Sequence, residues 1–190
     1  INRDGGGFRR LTYGGKASQP SLSHDGSRVA FIWGSGNSAE LYAINTDGTD
    51  LTRYTYNSVP ESQPSAGYGA FGIAFISGSG NAAELYFVFF GTLTRLTWNN
   101  RPESDPCITK YNEATVFISG SGTTAEVYYI NYDGSGLRRL TWNSREESSP
   151  TISYYGNYPY VTYPGFNSRI AFKSGTGSSS ELYAINSDGT

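Results

Sequence analysis

One segment, Glu40-Leu41-Tyr42-Ala43-Ile44-Asn45-Thr46-Asp47-Gly48-Thr49, returns further along the chain as Glu181-Leu182-Tyr183-Ala184-Ile185-Asn186-Ser187-Asp188-Gly189-Thr190. It returns with changes as Glu126-Val127-Tyr128-Tyr129-Ile130-Asn131-Tyr132-Asp133-Gly134, and in altered form as Glu84-Leu85-Tyr86-Phe87-Val88-Phe89-Phe90-Gly91. An apolar run closed by Asn-x-Asp-Gly reads as a strand ending in a tight turn, because Asn and Gly tolerate the positive φ such a turn needs. Two further markers set the period. Leu11-Thr12, Tyr54-Thr55, Leu96-Thr97 and Leu140-Thr141, each preceded by an arginine (Arg10, Arg53, Arg95, Arg139), stand 43, 42 and 44 residues apart. Pro20, Pro64, Pro106 and Pro150 stand 44, 42 and 44 apart. Repeats in the forties build either propeller blades or helical arrays. No window here carries apolar residues at helical spacing over ten residues, and short apolar runs alternate with Gly-rich breaks, which selects blades.

Each repeat divides into four strands. In the first, a strand follows the proline at Ser21-Leu22-Ser23, and His24-Asp25-Gly26-Ser27 turns the chain. Arg28 to Trp33 forms the second strand, Gly34 to Ser38 a loop, Glu40 to Ile44 the third strand, and Leu51 to Thr55 the fourth. The second and third strands are apolar at consecutive positions, as expected where both faces of a sheet are covered. The expected fold is an all-β propeller of four-stranded antiparallel blades. It forms one domain over residues 1–190, with blades near 19–57, 62–98, 104–143 and 148–190. A fourth-type strand at residues 8–13 precedes the first blade, and the last repeat shows only three strands. The first strand is therefore expected to complete the last sheet, within one chain or between chains.

The remaining numbers mostly exclude. A formal charge of −2 gives no electrostatic footprint for nucleic acid. The single Cys107 has no partner for a disulfide or a metal site. No apolar run approaches 18 residues and no leader pattern is visible, so no membrane span is expected. Met is absent and the sequence opens on Ile1, which suggests a processed form or a piece of something longer.

Pro20-Ser21-Leu22-Ser23-His24-Asp25-Gly26-Ser27-Arg28-Val29-Ala30-Phe31, the third-strand motif from Glu40 to Thr49, and Leu93-Thr94-Arg95-Leu96-Thr97 together resemble the TolB-type propeller repeat. The resemblance extends over nearly the whole chain and implies four-stranded blades. Related blades occur in periplasmic TolB, in the propellers of prolyl oligopeptidase-type enzymes and in bacterial surface proteins. Those propellers usually have six or more blades, where this chain offers four. The resemblance carries no active site, because the peptidase triad belongs to a separate hydrolase domain.

For chemistry the sequence offers little. His24 is the only histidine, and its neighbour Asp25 belongs to the same turn. The serines lack a nucleophile-elbow pattern and a second histidine to act as base. Asp25, Asp47, Asp133 and Asp188 precede glycines as turn formers, without the clustered oxygen ligands of a calcium loop. Gly34-Ser35-Gly36 and its equivalents precede no helix, so they cradle no phosphate. No catalytic residue, cofactor or metal is expected. The repeated Glu40, Glu84, Glu126, Glu181 and Arg10, Arg53, Arg95, Arg139 read as polar strand-edge positions that pair with one another. Exposed pairs of that kind are worth up to about 1 kcal/mol.

What breaks the repeat is aromatic. Tyr68, Phe71, Phe87, Phe89 and Phe90 depart from their equivalents, and an insertion carries Tyr154, Tyr155, Tyr158, Tyr160, Tyr163 and Phe166. Because Tyr and Phe are enriched at interface centres, these eleven residues are the candidate protein-contact set. The functional expectation is a non-enzymatic propeller scaffold that associates with protein, foremost with other copies of itself. It would be an extracellular or cell-envelope structural protein, with a filament subunit as the most specific form of that expectation. A truncated TolB-like or peptidase propeller that gates or binds partners is the alternative. A carbohydrate-binding propeller using Tyr, Trp33, Trp98 and Trp142 as platforms is a further one.

Overall fold

The computed structural model describes residues 6–153 and 168–190. They form antiparallel sheets of one design. Sheet 1 runs β1 (Ala17–Leu22), β2 (Arg28–Trp33), β3 (Glu40–Asn45), β4 (Thr52–Arg53). Sheet 2 runs β5 (Glu61–Ala66), β6 (Gly72–Ser77), β7 (Glu84–Phe89), β8 (Thr92–Arg95). Sheet 3 runs β9 (Glu103–Ile108), β10 (Ala114–Ser119), β11 (Glu126–Asn131), β12 (Arg138–Arg139). Sheet 4 has three strands, β13 (Glu147–Ile152), β14 (Arg169–Ser174) and β15 (Glu181–Asn186). In every sheet the strands lie side by side in sequence order.

The sheets stack face to face, and the core is the set of layers between them. Ala30, Ile32, Leu41 and Ala43 of sheet 1 meet Ala66, Ile73, Phe75 and Val88 of sheet 2. Ala74, Ile76, Leu85, Phe87 and Leu96 of sheet 2 meet Ile108, Phe117 and Ile130 of sheet 3. Val116, Ile118, Val127 and Leu140 of sheet 3 meet Ile152, Ile170 and Phe172 of sheet 4. Each large side chain so buried contributes about 1.5–3 kcal/mol. β6 and β10 are buried at all six positions, because both their faces are covered. β14 alternates exposed and buried and β15 is largely exposed, because only one face of sheet 4 is covered by the described residues.

The first strands differ from the sequence expectation. They begin before the proline, not after it, and the proline sits at a break in the β1–β2 register between Ser18 and Ser21. β5, β9 and β13 repeat that irregularity. Proline donates no ladder bond and is tolerated at a bulge. The residue before each proline is left-handed: Gln19, Gln63, Asp105 and Ser149 have φ of 51, 52, 51 and 52°. Their side chains fasten the sheets in series. Gln19 Oε1 accepts from Gln63 N, Gln63 Oε1 from Asp105 N at 2.7 Å, and Asp105 Oδ2 from Ser149 N at 3.0 Å. Ser21 Oγ and Ser65 Oγ likewise accept from Ala66 N and Ile108 N of the next sheet, at 3.0 and 3.1 Å.

Residues 8–12, expected as a strand, join none of the described sheets. Closure of sheet 4 by this segment inside one chain is therefore not the arrangement found. Leu11 and Thr12 instead line a small cavity together with Val29, Phe31 and Ile44 on the outer face of sheet 1.

An aromatic surface and two polar networks

The turns between first and second strands and between third and fourth strands share one end of the stack. Thr46 N, for example, donates to Ser27 O at 2.9 Å. Most of the described aromatic departures gather at this end. In sheet 2 the Asn-x-Asp-Gly loop is replaced by a two-residue hairpin, Phe90-Gly91, between Phe89 and its partner Thr92. Both turn residues have positive φ, 45° at Phe90 and 82° at Gly91. Asn or Gly would suit the first of these; a phenylalanine there is strained by about 1 kcal/mol. Phe90 is nevertheless 69% exposed.

Around it the rings form a chain. Phe90 stacks on Phe71 at 5.0 Å and meets Phe89 edge-on at 4.6 Å; Phe89 lies 6.3 Å from Tyr132 of sheet 3. Phe71, Phe89 and Tyr132 are all exposed. Tyr68 is exposed too, and pairs with Tyr111 rather than with this group. Phe87 is buried between sheets 2 and 3, so it supports the surface from beneath and cannot itself meet a partner. Tyr154, Tyr155, Tyr158, Tyr160, Tyr163 and Phe166 lie outside the described residues. Sequence reasoning passed over Tyr132; its signal was that it fills the x position of Asn131-x-Asp133-Gly134, where the other intact copies have Thr46 or Ser187.

At the opposite end three of the four expected Glu–Arg pairs form, with Glu40, Glu84 and Glu126 buried rather than at an exposed edge, whereas Glu181 is exposed and pairs with Arg145 at 3.5 Å. Glu40 Oε1 accepts from Arg53 Nη2 at 2.8 Å and from Asn57 N at 3.0 Å. Glu84 does the same with Arg95 and Asn99, and Glu126 with Arg139 and Asn143. The side chains of Glu40, Glu84 and Glu126 are only 4, 4 and 2% exposed. A ring lies over each guanidinium: Tyr56 over Arg53 at 4.4 Å, Trp98 over Arg95 at 5.6 Å, Trp142 over Arg139 at 5.8 Å. These exposed rings cover half-buried ion pairs, which gives Trp98 and Trp142 a structural duty.

The asparagines carry the network across to the next sheet. Asn57 Nδ2 donates to Glu61 Oε1 at 2.8 Å, and Asn99 Nδ2 to Glu103 Oε1 at 2.6 Å. Burial pushes the carboxyls of Glu61 and Glu103 up to about 7. Hydrogen bonds from Asn57 or Asn99 and from a serine work against that shift, and the charge of Glu40 or Glu84 adds to it.

His24 is exposed in its turn. Asp25 serves that turn: it accepts from Ser23 Oγ at 2.6 Å, Ser27 Oγ at 2.9 Å and Gly69 N of sheet 2 at 3.1 Å. Its slight burial raises its pKa, but these bonds outweigh that and hold it at about 2. Asp47, Asp133 and Asp188 accept from Thr49, Ser135 and Thr190 of their own turns. Among the described residues no three His, Cys, Asp or Glu side chains converge as metal ligands. No described helix is long and apolar enough to cross a membrane.

No protein-family model matches the sequence, and no curated protein matches it. Solved structures do. A putative TolB from Agrobacterium tumefaciens superposes with a TM-score of 0.66 at 16% identity, over 91% of this chain and 62% of its own. A Mycobacterium tuberculosis puromycin-hydrolysing peptidase gives 0.69 at 12% identity, over 97% of this chain and 30% of its own. An oligogalacturonate lyase from Vibrio parahaemolyticus gives 0.67 at 12% identity, over 94% and 52%. This chain thus spans less than two thirds of each. At such identities the likeness is one of fold: a TolB-type β-propeller arrangement of four sheets. Named enzymes share that fold, so the fold itself does not decide whether a chain is catalytic.

Proposed function

We propose that this chain is a non-catalytic propeller scaffold for protein–protein association, acting at the cell surface or in the envelope. Its foremost partner is another copy of itself. The observation that carries the reading is the exposed run Phe71–Phe90–Phe89–Tyr132 across sheets 2 and 3. Contiguous exposed aromatic area marks contact surfaces. Phe90 is held there at a backbone cost that burial does not offset, and strain retained at an exposed position points to function. Copies joined head to tail through unlike surfaces give a ring if the rotation closes and a filament if it does not.

Size-exclusion chromatography with light scattering tests the reading. The expected result is a species heavier than the 20.6 kDa chain, growing with concentration. A strictly monomeric particle up to hundreds of micromolar removes self-assembly. A second reading, a partner-binding section of a larger TolB-like or peptidase-like propeller, is favoured by the partial coverage of the structures it resembles. In that case the monomer would bind a different protein through the same aromatic run. Carbohydrate binding is the reading favoured if a glycan array gives signal that Trp98→Ala and Trp142→Ala remove.

A further inference from the structure

The junctions between successive sheets follow one pattern, and each brings two glutamates together. The backbone N–H of Glu61 donates to Ala39 O at 3.0 Å, that of Glu103 to Ala83 O at 3.1 Å, and that of Glu147 to Ala125 O at 3.3 Å. Each acceptor is the residue directly before Glu40, Glu84 or Glu126. One glutamate of every pair therefore begins a third strand, and the other begins the first strand of the following sheet. A single asparagine ties the two. Asn57 donates its backbone N–H to Glu40 Oε1 and its Nδ2 to Glu61 Oε1, as Asn99 does between Glu84 and Glu103, and Asn143 between Glu126 and Glu147. All six glutamates are at most 3% exposed.

These bonds all fall on Oε1 and leave the second oxygens over. Glu40 Oε2 and Glu61 Oε2 are both buried with no hydrogen-bond partner, and so are Glu84 Oε2 and Glu103 Oε2. A buried acceptor without a donor is costly, and a buried charge without a counter-charge more so. The charged groups that face Glu61 are Glu40 of β3 and, through Glu40 Oε1, Arg53 of β4. Those that face Glu103 are Glu84 of β7, Arg95 of β8 through Glu84 Oε1, and Arg101 of the junction, whose Nη2 is held by Ser119 O and Thr124 O at 3.0 and 2.6 Å. Tyr42 and Tyr56 carry their rings over Arg53. β6 and β10 bring only the hydroxyls of Ser77 and Ser119. In the neighbouring first strands the matching position holds Ala17 in β1 and Glu147 in β13. The junction between sheets 3 and 4 is built otherwise: Thr141 Oγ1 donates to Glu126 Oε2, and only Glu147 Oε2 is left over.

We propose that the junctions between sheets 1 and 2 and between sheets 2 and 3 each bind one proton, shared by Glu61 with Glu40 and by Glu103 with Glu84, and that its release switches how firmly one sheet docks on the next. One O–H in place of one acceptor satisfies both left-over oxygens: Glu61 Oε2 or Glu103 Oε2 carries the proton and donates to Oε2 of its partner, whose Oε1 keeps its arginine. Burial, with the neighbouring Glu40 or Glu84 adding to it, raises Glu61 and Glu103 to about 7, so release falls near neutral pH. A group whose folded value is raised stabilises the fold while protonated, and that contribution is lost as pH rises through the folded value. Below about 7 the joint is closed; above it two adjacent buried carboxylates repel each other. The bonds that bear the repulsion are Glu61 N to Ala39 O and Glu103 N to Ala83 O. A proton fits better than a metal ion, because each junction leaves two carboxylate oxygens over where calcium takes about six to eight oxygen ligands. The switch operates whether or not copies associate.

Carbon-13 NMR of the glutamate carboxyl groups in the full chain, from about pH 5 to about pH 9, tests the site. Groups that share a proton titrate as a pair. The carboxyl carbons of Glu40 and Glu61 are therefore expected to move at one midpoint, and those of Glu84 and Glu103 at another. In Glu40→Gln the amide donates to Glu61 Oε2 in the proton's place, so Glu61 is expected to bind its proton at least tenfold more weakly; Glu84→Gln is expected to do the same to Glu103. Hydrogen exchange tests the switch: the backbone amides of Glu61 and Glu103 are expected to exchange at least tenfold faster at pH 8 than at pH 6, beyond the intrinsic rise with pH. If Glu61 titrates while the Glu40 carbon stays still, or if Glu40→Gln leaves the midpoint of Glu61 in place, the proton is not shared and the site is wrong. Unchanged exchange overturns the switch. A midpoint that falls when calcium chloride is added makes the occupant a metal ion and overturns the assignment of a proton. The titration of the parent chain needs no substitution, so a variant that fails to fold leaves the proposal open to refutation.

Discussion

The buried Glu84–Arg95 pair shows how much a single residue decides. Glu84 is enclosed and Arg95 is its cation. Removing one partner of a buried pair leaves an uncompensated charge, which costs several kcal/mol where both are enclosed. Arg95 is about a third exposed, so Arg95→Ala is expected to destabilise by about 1–3 kcal/mol in urea denaturation. Glu61 and Glu103 give the opposite kind of signal. Their folded pKa lies near 7 and their ordinary value near 4.5. Between those values the folded protein keeps protons that the unfolded chain has lost. Stability therefore falls as pH rises from about 4.5 to about 7, then levels off, by at most about 3 kcal/mol per site. The urea midpoint should drop between pH 5 and 8, and Glu61→Gln with Glu103→Gln should flatten the drop. Phe90→Asn should do the reverse of most surface changes. Asn tolerates the left-handed turn, so stability should rise by up to about 1 kcal/mol while association weakens. At this scale the sequence exposed the pairing of Glu with Arg through their shared period. It concealed their burial, because a pattern of residue types does not say how deep the edge of a stacked sheet lies.

Among the elements, the loop between second and third strands is the least forgiving. Each contains a single 3-10 turn, such as Gly36–Ser38 and Gly80–Ala82, which the run of Gly and Ser had suggested only as a connection. Gly78 has φ of 103°, and a Cβ there would stand 2.3 Å from Ala82 O. Gly80 has φ of 55° and open space around it. Gly78→Ala should therefore cost more than about 2 kcal/mol and Gly80→Ala about 1 kcal/mol, measured as the difference between two thermal melts. Strands with continuous apolar runs were legible in advance because covering both faces removes alternation. The first strands were misread because Pro20, Pro64, Pro106 and Pro150 look like boundaries. A bulge with a left-handed residue beside the proline lets the strand continue through. Of the described candidate contacts, Tyr68, Phe71, Phe89 and Phe90 reach the surface and Phe87 does not; Phe87 and Phe89 stand on one face of β7, so it is nearness to the turn that exposes Phe89, which composition cannot tell.

Over the described residues as a whole, coverage falls off at sheet 4. Amide hydrogen exchange should be slowest in β6 and β10, which are buried at every position, and fastest in β15. The fold was readable from a period near 43 because a blade cannot bury its faces alone and must be repeated to be stable. The fate of residues 8–12 was not, since local sequence fixes the shape of a strand and only geometry at a distance fixes its partner. The bonds from Gln19 to Gln63 to Asp105 to Ser149 have one further consequence. In every link a side-chain oxygen reaches forward to the following sheet, so the molecule has a direction, like an arrow. If copies join in a row as proposed, that row inherits the vector: its leading and trailing tips are chemically unlike, they would lengthen at unequal speeds, and an inhibitor shaped for one tip would leave the other free to grow.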